Sequence, residues 1–135
     1  MKNTVEDCNV MDIPKIADSR GNLAVIEGKT LPFEFKRVYY LFDVPSDAHR
    51  GGHAHKEQQE FLIAVSGSFE VTLDDGNNKK RVTLNKPNKG LLIPTGIWRE
   101  LENFSSGAIC LVFSSGAFLE EDYIREYNVF EKSYR

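Results

Sequence analysis

Nothing in this chain approaches the run of ~20 apolar residues that a membrane-spanning helix needs. Its first residues, Met1-Lys2-Asn3-Thr4-Val5-Glu6-Asp7, lack the apolar core of a secretory signal, so a cytoplasmic protein is expected. Cysteine is scarce. Cys8 and Cys110 form no metal-binding or redox motif, and free thiols are the plainer reading beside the alternative of one disulfide. There is no basic excess either: 17 Lys and Arg face 20 Asp and Glu, for a net charge of −3, which gives no reason to expect nucleic acid as a partner. No internal repeat, low-complexity tract or linker divides the chain. Its 135 residues therefore read as one domain, 1–135, long enough for a real core. Histidine is also scarce, and all three copies, His49, His53 and His55, fall in one short stretch.

What is present is mostly β patterning. Phe69, Val71 and Leu73 alternate with Ser68, Glu70 and Thr72, the period of a strand with one buried face. Asp74-Asp75-Gly76-Asn77 is a hairpin turn signal, and Arg81-Val82-Thr83-Leu84 reads as the return strand. Phe61-Leu62-Ile63-Ala64-Val65 and Ala108-Ile109-Cys110-Leu111-Val112-Phe113 are continuous apolar runs, as in strands buried on both faces. Further strands are expected over Leu23–Glu27, after the turn Arg20-Gly21-Asn22, over Arg37–Phe42, and over Gly90–Ile93 before a Pro94-Thr95-Gly96 turn. Within the Arg37 strand, Arg37 and Tyr39 share a face and Tyr40 is expected to join Val38 in the core. Only residues 119–133 break the pattern: Tyr123, Ile124, Tyr127 and Phe130 recur at helical spacing, predicting a structural amphipathic helix.

His53 and His55 are two residues apart, so on a strand both imidazoles point to one face. Imidazole titrates near neutrality and ligates metals, so the pair suits proton transfer or half of a metal site. Gly51 and Gly52 precede it, and glycine lets the backbone approach a ligand closely. Glu60 and then Gly67 follow at a spacing that resembles the first motif of the cupin superfamily, a double-stranded β-helix or jelly roll. Gly90, Pro94, Thr95 and Gly96 resemble the second motif. Arg99, however, stands where metal-binding cupins carry a further histidine ligand, and a guanidinium has no acceptor and repels a dication. The expectation is an all-β cupin jelly roll with a short C-terminal amphipathic helix, its pocket used without a metal and Glu60 hydrogen-bonding a histidine to fix its tautomer. A metal-dependent oxygenase or isomerase, and histidines that are plain surface or core residues, remain as alternatives. His49 lies outside the motif and reads as a surface loop residue; Lys56 reads as exposed.

The likeness extends further. Asp18-Ser19-Arg20-Gly21, Lys36-Arg37-Val38-Tyr39-Tyr40, Arg50-Gly51-Gly52-His53-Ala54-His55-Lys56, Trp98-Arg99-Glu100 and Glu121-Asp122-Tyr123-Ile124-Arg125-Glu126-Tyr127 stand in an order that resembles the sugar 3,4-ketoisomerases acting on dTDP-4-keto-6-deoxyglucose. The resemblance covers roughly residues 10–130. It implies an isomerase without metal or cofactor that moves a ketone from C4 to C3 of a dTDP-linked 4-keto-6-deoxyhexose, supplying 3-amino-3,6-dideoxyhexoses for surface polysaccharides. It also implies a homodimer with exchanged N-terminal strands. By match to the family motif, His53 and His55 are the acid–base pair, with His55 the favoured base at C3, and Arg99 steadies the enediolate. Arg20, with Gly21 beside it, and Arg50 are candidates for the diphosphate or sugar. Arg37 and Tyr39 line a wall, and Tyr39 and Trp98 are candidates for stacking on the thymine. Each has a plainer alternative: Arg37 a solvated strand residue, Arg20 a turn cap, Trp98 core packing. Two other functions stay open, a dTDP-sugar 3,5-epimerase and a non-catalytic nucleotide-sugar-binding cupin.

Overall fold

Alternating strands bury one face each, and the shape that satisfies many of them is a pair of facing sheets. The computed structural model describes residues 2–134, so the expected domain bounds Met1 and Arg135 lie just outside the described residues. The strands are β1 (Val10–Asp12), β2 (Lys15–Asp18), β3 (Gly21–Ala24), β4 (Arg37–Leu41), β5 (Arg50–His55), β6 (Glu60–Ser66), β7 (Phe69–Asp74), β8 (Lys79–Leu84), β9 (Lys89–Ile93), β10 (Trp98–Glu102), β11 (Ile109–Ser114) and β12 (Tyr123–Ile124), followed by one helix, α1 (Tyr127–Tyr134). One sheet runs β1-β9-β6-β11-β4 and the other β12-β5-β10-β7-β8, with β2 and β3 as a separate two-stranded ribbon. All pairings are antiparallel. This is the expected cupin jelly roll.

The core follows from the patterns. Phe69, Val71 and Leu73 of β7 meet Leu62 and Ala64 of β6, Leu91 and Ile93 of β9, and Cys110 and Val112 of β11 between the sheets. The continuous run in β6 is buried twice over: Phe61 and Ile63, pointing the other way, enter a second cluster with Ile13, Leu31 and Phe113, against which Phe33 and Phe35 pack. The β7–β8 turn closes as predicted. Asp74 accepts from the Gly76 amide, and Asp75 accepts from the Asn77 and Asn78 amides. Cys8 and Cys110 are free and buried, and burial pushes the Cys8 thiol up to about 12.

Three expectations change. The strand expected over Leu23–Glu27 is the exposed β3, one arm of the ribbon. Val38 and Tyr40 do not face the core: they are 48% and 59% exposed. Alternation forces this, because Arg37, Tyr39 and Leu41 take the inner face of β4. The predicted helix over 119–133 is a 3-10 turn (Glu120–Asp122), the strand β12, and only then α1. Tyr123 pairs with His55 and Ile124 with Ala54. The C-terminal segment thus lies along the histidine strand before α1 packs Phe130 against Trp98.

Candidate active site

Gly51, near the start of β5, lets that strand pass close to β10. Gly51 has φ +84, and a Cβ there would sit 3.0 Å from the Arg99 carbonyl oxygen, where β10 bulges between Arg99 and Glu100. The strand then carries His53 and His55 inward from this turn. The His53 ring has its Nδ1 3.1 Å from the Gly51 carbonyl. A carbonyl only accepts, so Nδ1 carries the hydrogen and Nε2 keeps the lone pair. Nε2 has no hydrogen-bond partner among the described residues. Burial, then the charge of Arg99, depresses the imidazole to about 3, so His53 is a neutral ring with an open basic nitrogen.

His55 is placed differently. It is fully buried. Its Nδ1 donates to Asp122 Oδ2 at 2.9 Å, and its Nε2 faces Glu60 Oε1 at 3.5 Å. The two imidazoles meet edge to face at 4.9 Å, and Tyr123 contacts both, with ring centroids 5.0 Å from His53 and 4.4 Å from His55.

Glu60 is the hub beneath the pair. Its Oε1 accepts from Arg99 Nη1 at 2.8 Å, and its Oε2 from Ser114 Oγ at 2.6 Å and Tyr39 Oη at 3.0 Å. Burial alone would raise this carboxyl. The contact with His55, the Arg99 charge and the Ser114 hydroxyl outweigh it and hold Glu60 below the usual carboxylate range. Burial, reinforced by the Glu60 charge, pushes the Tyr39 hydroxyl up, so it keeps its proton. Arg99 is 1% exposed, with Nε and Nη2 both donating to the Ile97 carbonyl. His53, His55 and Glu60 bring ligating atoms within 4.8 Å of one another, a spacing that a divalent ion could bridge. The Arg99 guanidinium already takes the Glu60 oxygen and places a permanent positive charge there. The donor set therefore suits a guanidinium rather than a second cation.

Two hollows share Tyr39, Arg50, Gly51 and His53 in their linings. An inner slot of about 70 Å³ is lined further by Glu60 and Arg99 with apolar Leu41, Leu62, Leu101 and Val112. An outer groove of about 430 Å³ adds Arg37, His49, Tyr123 and Arg125. Arg37 reaches Gln58 Oε1 at 3.2 Å and the Tyr123 hydroxyl at 3.4 Å, and lies over the Tyr39 ring at 5.1 Å. Arg125 stacks on Tyr123 at 4.2 Å while pairing with Glu120. The groove is thus rimmed by arginines and the slot is apolar except at its base.

Most of the residues singled out in the sequence converge: His53, His55, Arg99, Arg37, Tyr39 and Arg50. Three do not. Arg20 and Gly21 sit in the ribbon turn, where Arg20 pairs with Asp18 at 2.7 Å and its side chain is 88% exposed. The Asp18 carboxylate accepts from both the Arg20 amide and its guanidinium across that turn. Trp98 is 5% exposed in an apolar cluster with Ala54, Ile124 and Phe130, so it is core and has no face for a base. An exposed aromatic does stand near the groove: Phe118, 5.6 Å from the Tyr123 ring and 5.7 Å from the Arg37 guanidinium. Asp122, Tyr123 and Arg125 also belong to the site and were missed as such. Their stretch stood out in the sequence but reads as a helix.

The FdtA family profile (WxcM-like, C-terminal) matches residues 6–135. A TDP-4-oxo-6-deoxy-alpha-D-glucose-3,4-oxoisomerase from Aneurinibacillus thermoaerophilus is 44% identical over 124 residues, 91% of this chain and 89% of its own. A 3,4-ketoisomerase structure from Helicobacter canadensis superposes with a TM-score of 0.91 at 44% identity, covering 94% of this chain and 96% of that one. The 3,4-ketoisomerase QdtA from Thermoanaerobacterium thermosaccharolyticum, solved as a mutant with TDP-4-keto-6-deoxyglucose, gives 0.92 at 38% identity, covering 94% and 93%. The chain belongs to the FdtA family of cupins and is an isomerase, a sugar 3,4-ketoisomerase.

Proposed function

We propose that the substrate is dTDP-4-keto-6-deoxyglucose and that His53, not the sequence-favoured His55, takes the proton from C3. The observation that carries this is the unpartnered Nε2 of His53, a residue that lines a pocket whose base holds Arg99 and Tyr39 and whose rim is cationic. His55 has both nitrogens turned to carboxylates and lines neither hollow.

The C3 hydrogen lies beside the C4 ketone and is acidic for that reason. His53 Nε2 takes it as a proton. The bonding pair forms a C3–C4 double bond, and the carbonyl pair moves to O4, giving an enediolate. The hydroxyl proton on O3 passes to O4, the O3 pair collapses to a ketone at C3, and C4 takes the proton back from His53. Atoms and electrons balance within the sugar. An imidazole depressed to about 3 is a weak base at rest. The enediolate changes that, because its negative charge offsets Arg99 and stabilises the adjacent imidazolium only as the transition state forms. General acid–base catalysis of this kind typically contributes ~10²–10⁴-fold. Arg37, Arg50 and Arg125 suit the diphosphate, whose oxygens match the guanidinium fork.

We further propose a cytoplasmic homodimer that feeds 3-amino-3,6-dideoxyhexose synthesis for surface polysaccharide. Val38, Tyr40 and Phe42 lie exposed on and just beyond the edge strand β4, and Ile16 and Leu23 lie exposed on the ribbon. An apolar face on a free edge calls for a partner. A second copy that exchanges N-terminal strands covers both surfaces and carries Arg20 towards the neighbouring groove.

Incubation with dTDP-4-keto-6-deoxyglucose in D₂O, followed by NMR, tests the assignment. A new C3 ketone with loss of the C3 hydrogen is expected, and the same spectrum reports the C4 configuration. Full retention of the starting ketone would sink it.

A further inference from the structure

Asp122 touches neither hollow, yet its side chain is 4% exposed and fully engaged. Oδ1 accepts from the Glu57 amide at 2.7 Å. Oδ2 accepts from the Gln58 amide at 3.3 Å and from His55 Nδ1 at 2.9 Å. Its own carbonyl accepts from the Lys56 amide at 2.9 Å. The segment Glu120–Ile124 is therefore stitched to the β5–β6 connection by the carboxylate that holds His55, and the next residue, Tyr123, covers both imidazoles. A buried carboxylate with amide donors is fixed in place, and what it fixes in turn is the tautomer of the imidazole.

The chain of contacts does not stop at His55. With Nδ1 protonated toward Asp122, Nε2 makes no hydrogen bond and faces Glu60 Oε1 at 3.5 Å, and Glu60 Oε2 accepts from Tyr39 Oη at 3.0 Å. Tyr39 lines both hollows. A path of contacts, hydrogen-bonded except between His55 and Glu60, runs from the C-terminal segment to a hydroxyl in the pocket. We propose that Asp122 is a positioning residue of the isomerase: by fixing the hydrogen of His55 on Nδ1 it leaves the bare Nε2 facing Glu60, so that the Glu60 oxygens are kept for Arg99 and the Tyr39 hydroxyl. The inference rests on the proposed use of this pocket for the C4-to-C3 shift. Asparagine at 122 would keep an oxygen for the Glu57 amide but present an N–H to His55 Nδ1 in place of the oxygen that also takes the Gln58 amide. The ring would then adopt the other tautomer and send Nε2–H toward Glu60 Oε1, giving that carboxylate a further donor that competes with Arg99 and Tyr39.

The test combines kinetics with a spectroscopic readout. Asp122→Asn is expected to lower kcat roughly 10- to 100-fold, the range for removing the outer partner of a functional histidine, with KM changed less than about 3-fold. The ¹⁵N shifts of the His55 ring should switch tautomer while those of His53 stay. Tyr39→Phe cuts the path at its other end, so the double variant Asp122→Asn with Tyr39→Phe should be no slower than the slower single variant. Multiplying losses, or a switched His55 tautomer with unchanged kcat, overturns the proposal. Should Asp122→Asn fail to fold, the wild-type ring decides: His55 with hydrogen on Nδ1 supports it, and a bare Nδ1 overturns it. Failure of the pocket assignment itself would show separately, as wild-type protein without turnover.

Discussion

A histidine with one nitrogen tied to a backbone carbonyl has one nitrogen left to offer. That single hydrogen bond, from His53 Nδ1 to Gly51, separates two residues that the sequence presents as twins. His55 gives Nδ1 to Asp122 and turns an unbonded Nε2 to Glu60 Oε1 at 3.5 Å, away from both hollows, while His53 lines them. The clustering of His53, His55 and Arg99 was legible because such residues are rare and their spacing is regular. The division of labour was not, because the partner that decides it, Asp122, is 67 positions away from His55. The environment of His53 has a consequence for stability. Folded, the ring stays neutral down to about pH 3, whereas an unfolded imidazole takes a proton near about 6.5. Between those values the unfolded state binds the extra proton, so stability is complete above the window and falls as pH drops through it. At pH 5 the group costs about 2 kcal/mol relative to pH 7. Urea unfolding at both pH values should show His53→Asn losing less than the wild type by that amount. Equal losses would contradict the burial argument.

At the scale of elements, the sequence was most readable where one periodicity dominates. The β7–β8 hairpin has alternating strands and an Asp-Asp-Gly-Asn turn whose carboxylates close it, so pattern and chemistry agree. The apolar runs of β6 and β11 were equally clear, because a strand with neighbours on both faces has no polar side to show. Reading fails in β4, where Val38, Tyr39, Tyr40, Leu41 and Phe42 are apolar or aromatic throughout and nothing local distinguishes the inner face. The charged Arg37 and the hydroxyl of Tyr39 line the pocket, which puts Val38 and Tyr40 outside. It fails again at residues 119–133. Apolar residues three and four apart predict a helix, but Tyr123 and Ile124 are a two-residue strand too short to display its own period. The hydrogen bonds that hold it come from β5 and from Asp122, not from neighbours in sequence.

At the scale of the whole molecule, the fold separates two jobs. The facing sheets make a dry core, and the pocket opens at one end of it, among β4, β5, β6, β10 and the C-terminal segment, where polar groups reach in from five elements. The outer face of β4 and the ribbon are left apolar and exposed, and a lone chain has nothing to cover them with. Sedimentation equilibrium should therefore give twice the 15.3 kDa chain mass. Tyr40→Glu, which places a charge on that face without touching the pocket, should shift the protein toward monomer. A wild-type monomer at micromolar concentration would contradict the shared interface.

Which imidazole meets the sugar decides the mechanism, and hydrogen exchange at C3 reads this directly. His53→Asn and His55→Asn should each be incubated with dTDP-4-keto-6-deoxyglucose in D₂O, with binding verified by calorimetry. The predicted result is that His53→Asn binds but shows no exchange, while His55→Asn exchanges slowly. Exchange that persists without His53 and vanishes without His55 would contradict the central claim.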